Sequence, residues 1–333
     1  MKVLFIGGTG IISTAVSKLA VQRGIDLYVM NRGNSNDVLP DKAKTIIADM
    51  TNERSVKKAL DGLYFDSIVQ WIAFTKDQVE RDYRLFKGHT DQYVFISSAS
   101  AYQKPLPKLP ITESEVPLDN PYWQYSENKR ICEEYLLGLK DPNFHVTIIR
   151  PSHTYNEKML IAQLNSGKHP YTLIKRMLDG KPIIIPDKGL SLWTLTYNAD
   201  FAHAFVDILG NSDTYEEYYH LTGEKVYTWN RINQFISDAV GVTPNTIHIP
   251  TDYILEHFPE FKGELYGDKK DTTLFDNSKI KSVAPNYKSE TEYSDIVKLA
   301  VKRFKEYPEL QTVDEAFDKR YDQCIHDYLE TQK

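Results

Sequence analysis

The chain is poor in cysteine. Cys132 and Cys324 are the only two in 333 residues. That is too few for a disulfide framework, so a small stapled secreted scaffold is excluded and a reducing compartment, the cytoplasm, is expected. No apolar run is long enough to cross a bilayer, and the chain enters its first apolar strand with no charged leader ahead of it. No membrane association and no targeting segment are therefore expected. Basic residues are not in surplus: 40 Lys and Arg stand against 46 Asp and Glu, a net charge of −6. Such a balance gives no general attraction to nucleic acid or to an anionic membrane. Repeats and low-complexity stretches are missing too, and no metal site is expected.

What is present can fill a sizeable core: 41% of the residues are hydrophobic. The length suggests about two domains. The organising stretch is Met1 to Ser13. Val3, Leu4, Phe5 and Ile6 form a continuous apolar run, as in a strand buried on both faces of a parallel sheet. Gly7, Gly8 and Gly10 follow, then Ile12, Ala15, Val16, Leu19 and Ala20 recur at helical spacing up to Gly24. Strand, glycine turn and helix aim backbone N–H groups at a pyrophosphate. The first glycine allows the tight turn, and Gly10 lets the backbone approach the phosphates. Leu27 to Met30 closes the βαβ unit, so dinucleotide binding is favoured over a turn that is glycine-rich for steric reasons alone.

After that strand, Asn31 stands where an acid would hold the ribose hydroxyls of NAD, with Arg32 beside it. An arginine there pairs with a 2′-phosphate, so NADP is preferred and NAD is the alternative. Thr45 to Ala48, Ser67 to Ala73, Tyr93 to Ser97 and His145 to Ile149 are further strands, alternating with helices such as Asp77 to Lys87. That pattern indicates an α/β doubly wound parallel sheet, a Rossmann fold, with ligands at the carboxyl ends of its strands. Those ends place Asp49, Met50, Ala73, Phe74, Ser97, Pro151 and His153 at the cofactor, beside Gly7, Thr9, Gly10, Ile11 and Ile12 of the turn. Asp49 is read equally well as an adenine contact or as the cap of the helix starting near Asn52. His153 is read as a hydrogen-bonded wall residue in preference to a proton relay.

The fifth strand runs out into Ser97-Ser98-Ala99-Ser100-Ala101-Tyr102, and a proline-rich loop, Pro105 to Pro117, follows. Asn120 at a cap and Pro121 at a first position open a helix that carries Tyr125 and Lys129. Four residues apart, these share a helix face. A lysine ammonium beside a phenol is expected to lower the phenol's pKa toward neutrality, making Tyr125 a usable acid or base.

Taken in order, Gly7-Gly8-Thr9-Gly10-Ile11-Ile12, Asp49, Ile96-Ser97-Ser98-Ala99-Ser100-Ala101-Tyr102, Tyr125-x-x-x-Lys129 and Ile149-Arg150-Pro151-Ser152 resemble the short-chain dehydrogenase/reductase superfamily. The likeness is to its extended or atypical NAD(P)-dependent epimerase/dehydratase type, over nearly the whole chain. The resemblance implies that Ser98 bonds the substrate oxygen, Tyr125 transfers the proton, and Lys129 holds the nicotinamide ribose and the tyrosine's charge. Three positions depart from the family pattern. Ser13 replaces its third glycine. Ala99-Ser100 replaces the Asp-Glu pair of sugar-nucleotide dehydratases. No arginine for a diphosphate occurs in Gly189-Leu190-Ser191-Leu192-Trp193-Thr194. Trp193 suggests a flatter, less anionic ligand, and Ser98, Ser100, Tyr102, His153 and Trp193 are the candidate substrate contacts.

Residues 1–151 are assigned to the dinucleotide-binding domain, to which a strand near 218–221 returns, and 152–333 mainly to a smaller substrate lobe. In that lobe Tyr171 to Leu178, Asn198 to Leu209 and Trp229 to Val240 are expected helices, and Phe261 to Thr273 a mobile loop. Two helices, near Tyr293 to Tyr307 and Val313 to Leu329, close the chain. Extended relatives form homodimers through the helices corresponding to Asp77–Lys87 and Pro121–Leu139, and a homodimer is expected here, although the first helix is heavily charged through Asp77, Glu80, Arg81, Asp82, Arg84 and Lys87. The expected activity is hydride transfer to or from a secondary alcohol or ketone, with a sugar or sugar nucleotide among the candidates. The alternatives are a non-catalytic or RNA-associated relative, or a cofactor-sensing regulator.

Overall fold

Val3 and Phe5 point to one side of the first strand and Leu4 and Ile6 to the other, and all four are fully buried. Only a strand covered on both faces tolerates that pattern. In the computed structural model, which describes residues 1–333, the strands are β1 (Lys2–Ile6), β2 (Asp26–Asn31), β3 (Lys44–Ile47), β4 (Phe65–Gln70), β5 (Thr90–Ile96), β6 (His145–Pro151), β7 (His153–Tyr155), β8 (Ile183–Pro186), β9 (Leu192–Tyr197), β10 (Glu217–Leu221), β11 (Lys225–Thr228) and β12 (Thr246–Ile249). Seven of them form one sheet in the order β10-β6-β5-β4-β1-β2-β3, parallel throughout. From β1 the chain winds outward through β2 and β3, then crosses back to β4 on the other side of β1. The crevice between the ends of β1 and β4 is thus the topological switch point, where such sheets take ligands.

The first helices are α1 (Ile11–Gln22), α2 (Glu53–Leu60), α3 (Lys76–Phe86), α4 (Gln124–Gly138), α5 (Tyr171–Leu178), α6 (Asn198–Ile208) and α7 (Trp229–Val240). Val16 and Ala20 of α1 and Phe201 and Phe205 of α6 pack on the Val3/Phe5 face. Val56 and Leu60 of α2, Val79 and Phe86 of α3, and Cys132 and Leu136 of α4 pack on the other. Both α6 and β10 belong to the layers of the main sheet although they follow residue 151 in sequence. The helix Ser278–Val283 joins them through Ile280, which is buried in the same cluster.

A smaller lobe holds a three-stranded sheet, β11-β9-β7, and the pair β12-β8. Trp193, Trp229, Tyr155 and Tyr293 lie in its core. Two helices, Tyr293–Glu306 and Glu315–Thr331, end the chain. No helix is long and apolar enough to cross a membrane.

The structure corrects several local expectations. Helix α4 starts at Gln124, with no side-chain cap. Asn120 is used elsewhere: its amide donates to Ser100 O at 2.6 Å and to Gly267 O at 2.7 Å. Asn52, not Asp49, caps α2, accepting from Ser55 N; Asp49 instead closes a turn onto Thr51 N and Oγ1 at 2.9 and 2.8 Å. Strand β4 ends at Gln70, leaving Trp71 to Ala73 as the crevice wall. Asp82 is not part of a charged surface: it is fully buried, accepting from Gln70 and from the Tyr93 hydroxyl. Phe261 to Thr273 is no loose loop. It winds through a π-helical turn, Leu265–Lys269, and buries Leu265, Gly267 and Lys269. Its glycines are sites of close approach: a Cβ on Gly263 would lie 2.3 Å from Trp123 Cδ1.

Candidate functional site

Gly7 and Gly8 adopt φ of +99° and +97°, a region open to glycine at no steric cost. A Cβ on Gly7 would meet Ile72 Cγ2 at 2.9 Å, across the β1/β4 crevice, and one on Gly8 would meet Val29 Cγ1 at 2.8 Å. Ser13, in place of the family's third glycine, is buried and closes the helix start: its Oγ accepts from Gly10 N at 2.9 Å. The first backbone bond of α1 is Thr14 N to Gly10 O, so the N–H groups of Ile11 and Ile12 have no partner within the helix and face the crevice. Asn198 Nδ2 holds Ile11 O at 2.8 Å and fixes this end of the helix. Ile11, Ile72 and Phe74 are exposed around the crevice, an apolar rim that a flat ring system would cover. This cradle of glycines, free N–H donors and apolar rim fits a nicotinamide dinucleotide.

A cavity of about 670 Å³ opens from this turn. Gly7, Thr9, Gly10, Ile11 and Ile12 line one end of it. Phe74, Ser97, Ser98, Ser100, Tyr125 and Lys129 line its middle. Tyr102, Pro151, His153 and Trp193 complete the set of sequence candidates that it gathers. Asn31, Arg32, Asp49 and Met50 stand outside it, at and just beyond the ends of β2 and β3. There Asn31 is committed to its own turn, accepting from Gly33 N and donating to Asn36 Oδ1, both at 2.7 Å. Arg32 is exposed and makes no ion pair. Ala73 is buried and contributes its carbonyl.

That carbonyl fixes Lys129. Lys129 Nζ donates to Ala73 O and to Ile96 O, each at 2.7 Å, and lies 4.6 and 4.7 Å from the ring centroids of Phe74 and Phe95. An ammonium has three donors, so one remains. Burial draws the Lys129 pKa down to about 7. Tyr125 departs from expectation: burial pushes its hydroxyl above the usual phenol range, while a hydrogen bond with Ser98 draws it back and the charge of Asp268 adds to the rise. The lysine does not offset this, because its ammonium is 5.8 Å from the tyrosine ring centroid and bound to two carbonyls. Ser98 Oγ lies 2.8 Å from Ser100 Oγ, which lies 2.8 Å from Ser126 Oγ. Run from Ser126 to Ser98, this hydroxyl chain leaves the Ser98 O–H to donate toward Tyr125 or a ligand oxygen.

Below the site lies a closed polar network. Ser97 Oγ bonds Glu133, Glu133 takes a bidentate contact from Arg150 at 3.0 and 2.6 Å, Arg150 reaches the Tyr102 hydroxyl at 3.1 Å, and that hydroxyl lies 3.0 Å from His220 Nδ1. Ser97 and Tyr102 therefore present backbone and ring to the cavity, not their hydroxyls. His153 packs edge-on against Trp193, centroids 6.2 Å apart, and burial draws its pKa down to about 3, so the ring is neutral. Its side chain makes no hydrogen bond, so the neutral ring keeps one donor and one acceptor nitrogen on the cavity wall. Lys104, Trp123, Asp268, Thr273 and Phe275 line the far end. Sequence reading missed these five. Lys104 and Asp268 lie in irregular stretches without periodicity; Trp123, two residues before Tyr125, and Lys104, two after Tyr102, each had a candidate nearby to signal it.

A family model for the NAD dependent epimerase/dehydratase family matches residues 3–221, strand β1 through strand β10. The chain belongs to that family. Among curated relatives, the chloroplast stem-loop binding protein of 41 kDa b of Arabidopsis thaliana is 28% identical over 262 residues, 74% of this chain and 65% of that protein. The 2′-dehydrokanamycin reductase of Streptomyces kanamyceticus is 20% identical over 303 residues, 90% of this chain and 84% of the reductase. Among solved structures, UDP-glucuronic acid 4-epimerase from Bacillus cereus, in complex with UDP-glucuronic acid and NAD, superposes with a TM-score of 0.70 at 17% identity, covering 92% of this chain and 99% of the epimerase. At that identity the likeness is one of fold.

Proposed function

We propose that the protein is an NADP-preferring oxidoreductase or epimerase that acts on a secondary alcohol or its ketone. One observation carries the reading: the glycine turn, Ser98, Tyr125 and Lys129, scattered over more than a hundred residues of sequence, line one cavity at the sheet's switch point. A nicotinamide bound there would supply or take up the hydride. The chain's own residues handle the proton and the alignment. Ser98 donates to the substrate oxygen, and Tyr125 gives that oxygen its proton or removes it. The remaining N–H of Lys129 is available to the ribose. A raised Tyr125 pKa keeps the phenol protonated at neutral pH, as reduction of a ketone needs. Membership of the family, the reductase relative and the fold shared with an NAD-bound epimerase support this reading. The NADP preference rests on Arg32 and on the commitment of Asn31 to its own turn. The direct test is titration of the purified protein with NADPH and NADH, followed by a carbonyl and sugar-nucleotide screen. Tight NADPH binding with turnover of one substrate class is expected, and absence of dinucleotide binding refutes the reading.

The name of the chloroplast relative raises RNA binding as a second reading. This chain spans about two thirds of that relative's length, and its net charge of −6 disfavours a phosphate backbone.

A further inference from the structure

Two charged side chains at the far end of the cavity have no part in the reaction proposed above. Lys104 is 5% exposed, and its ammonium makes only two long contacts, 3.5 Å to Asp268 O and 3.5 Å to Thr273 Oγ1. The Asp268 carboxylate closes no ion pair. Lys269 beside it pairs with Glu264 at 2.6 Å and acts on Asp268 only through space. Asp268 reaches the site because Gly263 and Gly267 let the π-helical turn press against Trp123, where a Cβ on Gly267 would lie 3.0 Å from Trp123 Cβ. Asp268 is near enough to Tyr125 for its charge to bear on that hydroxyl. Around the pair stand Trp123, Trp193 and Phe275.

Buried charged groups left short of partners cost free energy unless a ligand completes them. The cavity wall holds two cations, Lys104 and Lys129, one anion, Asp268, and no arginine. Lys129 is held by two backbone carbonyls and burial draws it toward neutrality near pH 7, so the opposed charges of Lys104 and Asp268 dominate the substrate end. A nucleoside diphosphate placed there would bring two negative charges to the half-buried Asp268 carboxylate and find a single underpartnered cation. A neutral polyhydroxylated ring meets the site instead. Its hydroxyls donate to Asp268 and accept from Lys104, and its C–H faces lie on the aromatic walls.

Resting on the oxidoreductase reading, we propose that Lys104 and Asp268 are specificity-determining residues that select a neutral polyhydroxylated ring, a free sugar or simple glycoside, and reject sugar nucleotides. The test is equilibrium binding to the NADPH-loaded protein. The probes are UDP-glucose and a panel of methyl glycosides of glucose, galactose and mannose, followed by tryptophan fluorescence. Wild-type protein should bind at least one glycoside, and more tightly than it binds UDP-glucose. Lys104→Met should weaken that glycoside about tenfold, the scale of one hydrogen bond to a charged group. Asp268→Asn should weaken it similarly and strengthen UDP-glucose by about as much. Unchanged NADPH affinity in both variants shows that they are folded. Tighter binding of UDP-glucose than of every glycoside, no glycoside binding at all, or an Asp268→Asn variant with unaltered UDP-glucose affinity overturns the proposal. Loss of NADPH binding by the wild-type protein counts instead against the oxidoreductase reading.

Discussion

At the residue scale, the functional side chains are governed by what else they touch. Asn31 spends its amide on its own turn and Arg32 spends nothing, so only the arginine is free to meet a 2′-phosphate. Arg32→Ala should therefore lower NADPH affinity about tenfold and leave NADH affinity unchanged, as read by isothermal titration. Lys129 is governed by burial. Its folded pKa near 7 lies below the unfolded value of 10.5. Between these two values the unfolded chain binds the proton and the folded chain does not, so stability rises with pH across that window. Below pH 7 the cost of the buried charge is present in full. Urea midpoints should show wild type gaining on Lys129→Met from pH 7 to pH 10, and a parallel pair of curves would contradict the assignment. The proximity of Tyr125 and Lys129 was legible as helix spacing. The two carbonyls that hold the lysine were not, because Ala73 follows β4 and Ile96 ends β5, and both come near only in the fold.

At the scale of elements, legibility followed periodicity. The run Val3–Ile6 with its glycine turn, α5 and α7 carry their pattern within one segment, and the structure has them where the spacing puts them. The short strands β7, β9 and β11 and the π-helical turn carry none. The turn packs against Trp123 and is bonded by Asn120 and Trp229, which belong to different parts of the chain. Asn120 misled for the same reason: a good cap by type, it is recruited to Ser100 O and Gly267 O. The turn's dependence on Trp123 is testable. Gly263→Ala puts a methyl group 2.3 Å from Trp123 Cδ1, and such overpacking should cost about 1–3 kcal/mol. Thermal unfolding of the variant should show that loss, with NADPH affinity retained because the glycine turn is distant. An unchanged midpoint would mean that the turn does not bear on the indole.

At the scale of the molecule, the glycine turn of the main sheet and side chains of the smaller lobe such as Trp193 line one cavity, so the cavity belongs to both. The fold class was legible because each buried strand is its own signal; the far wall was not, because its residues come from stretches more than a hundred residues apart. The acidic balance of the whole chain predicts at most weak RNA binding that falls steeply with salt, and a filter-binding titration with a stem-loop at physiological ionic strength should show no tight complex. The measurement closest to the central claim is carbonyl-dependent oxidation of NADPH by wild type and by Tyr125→Phe. The substitution removes one oxygen and keeps the ring between Phe74 and Trp123. The account predicts NADPH affinity unchanged and turnover reduced by about 10²–10⁴-fold, the usual loss for a general acid or base. Full turnover by Tyr125→Phe would contradict it.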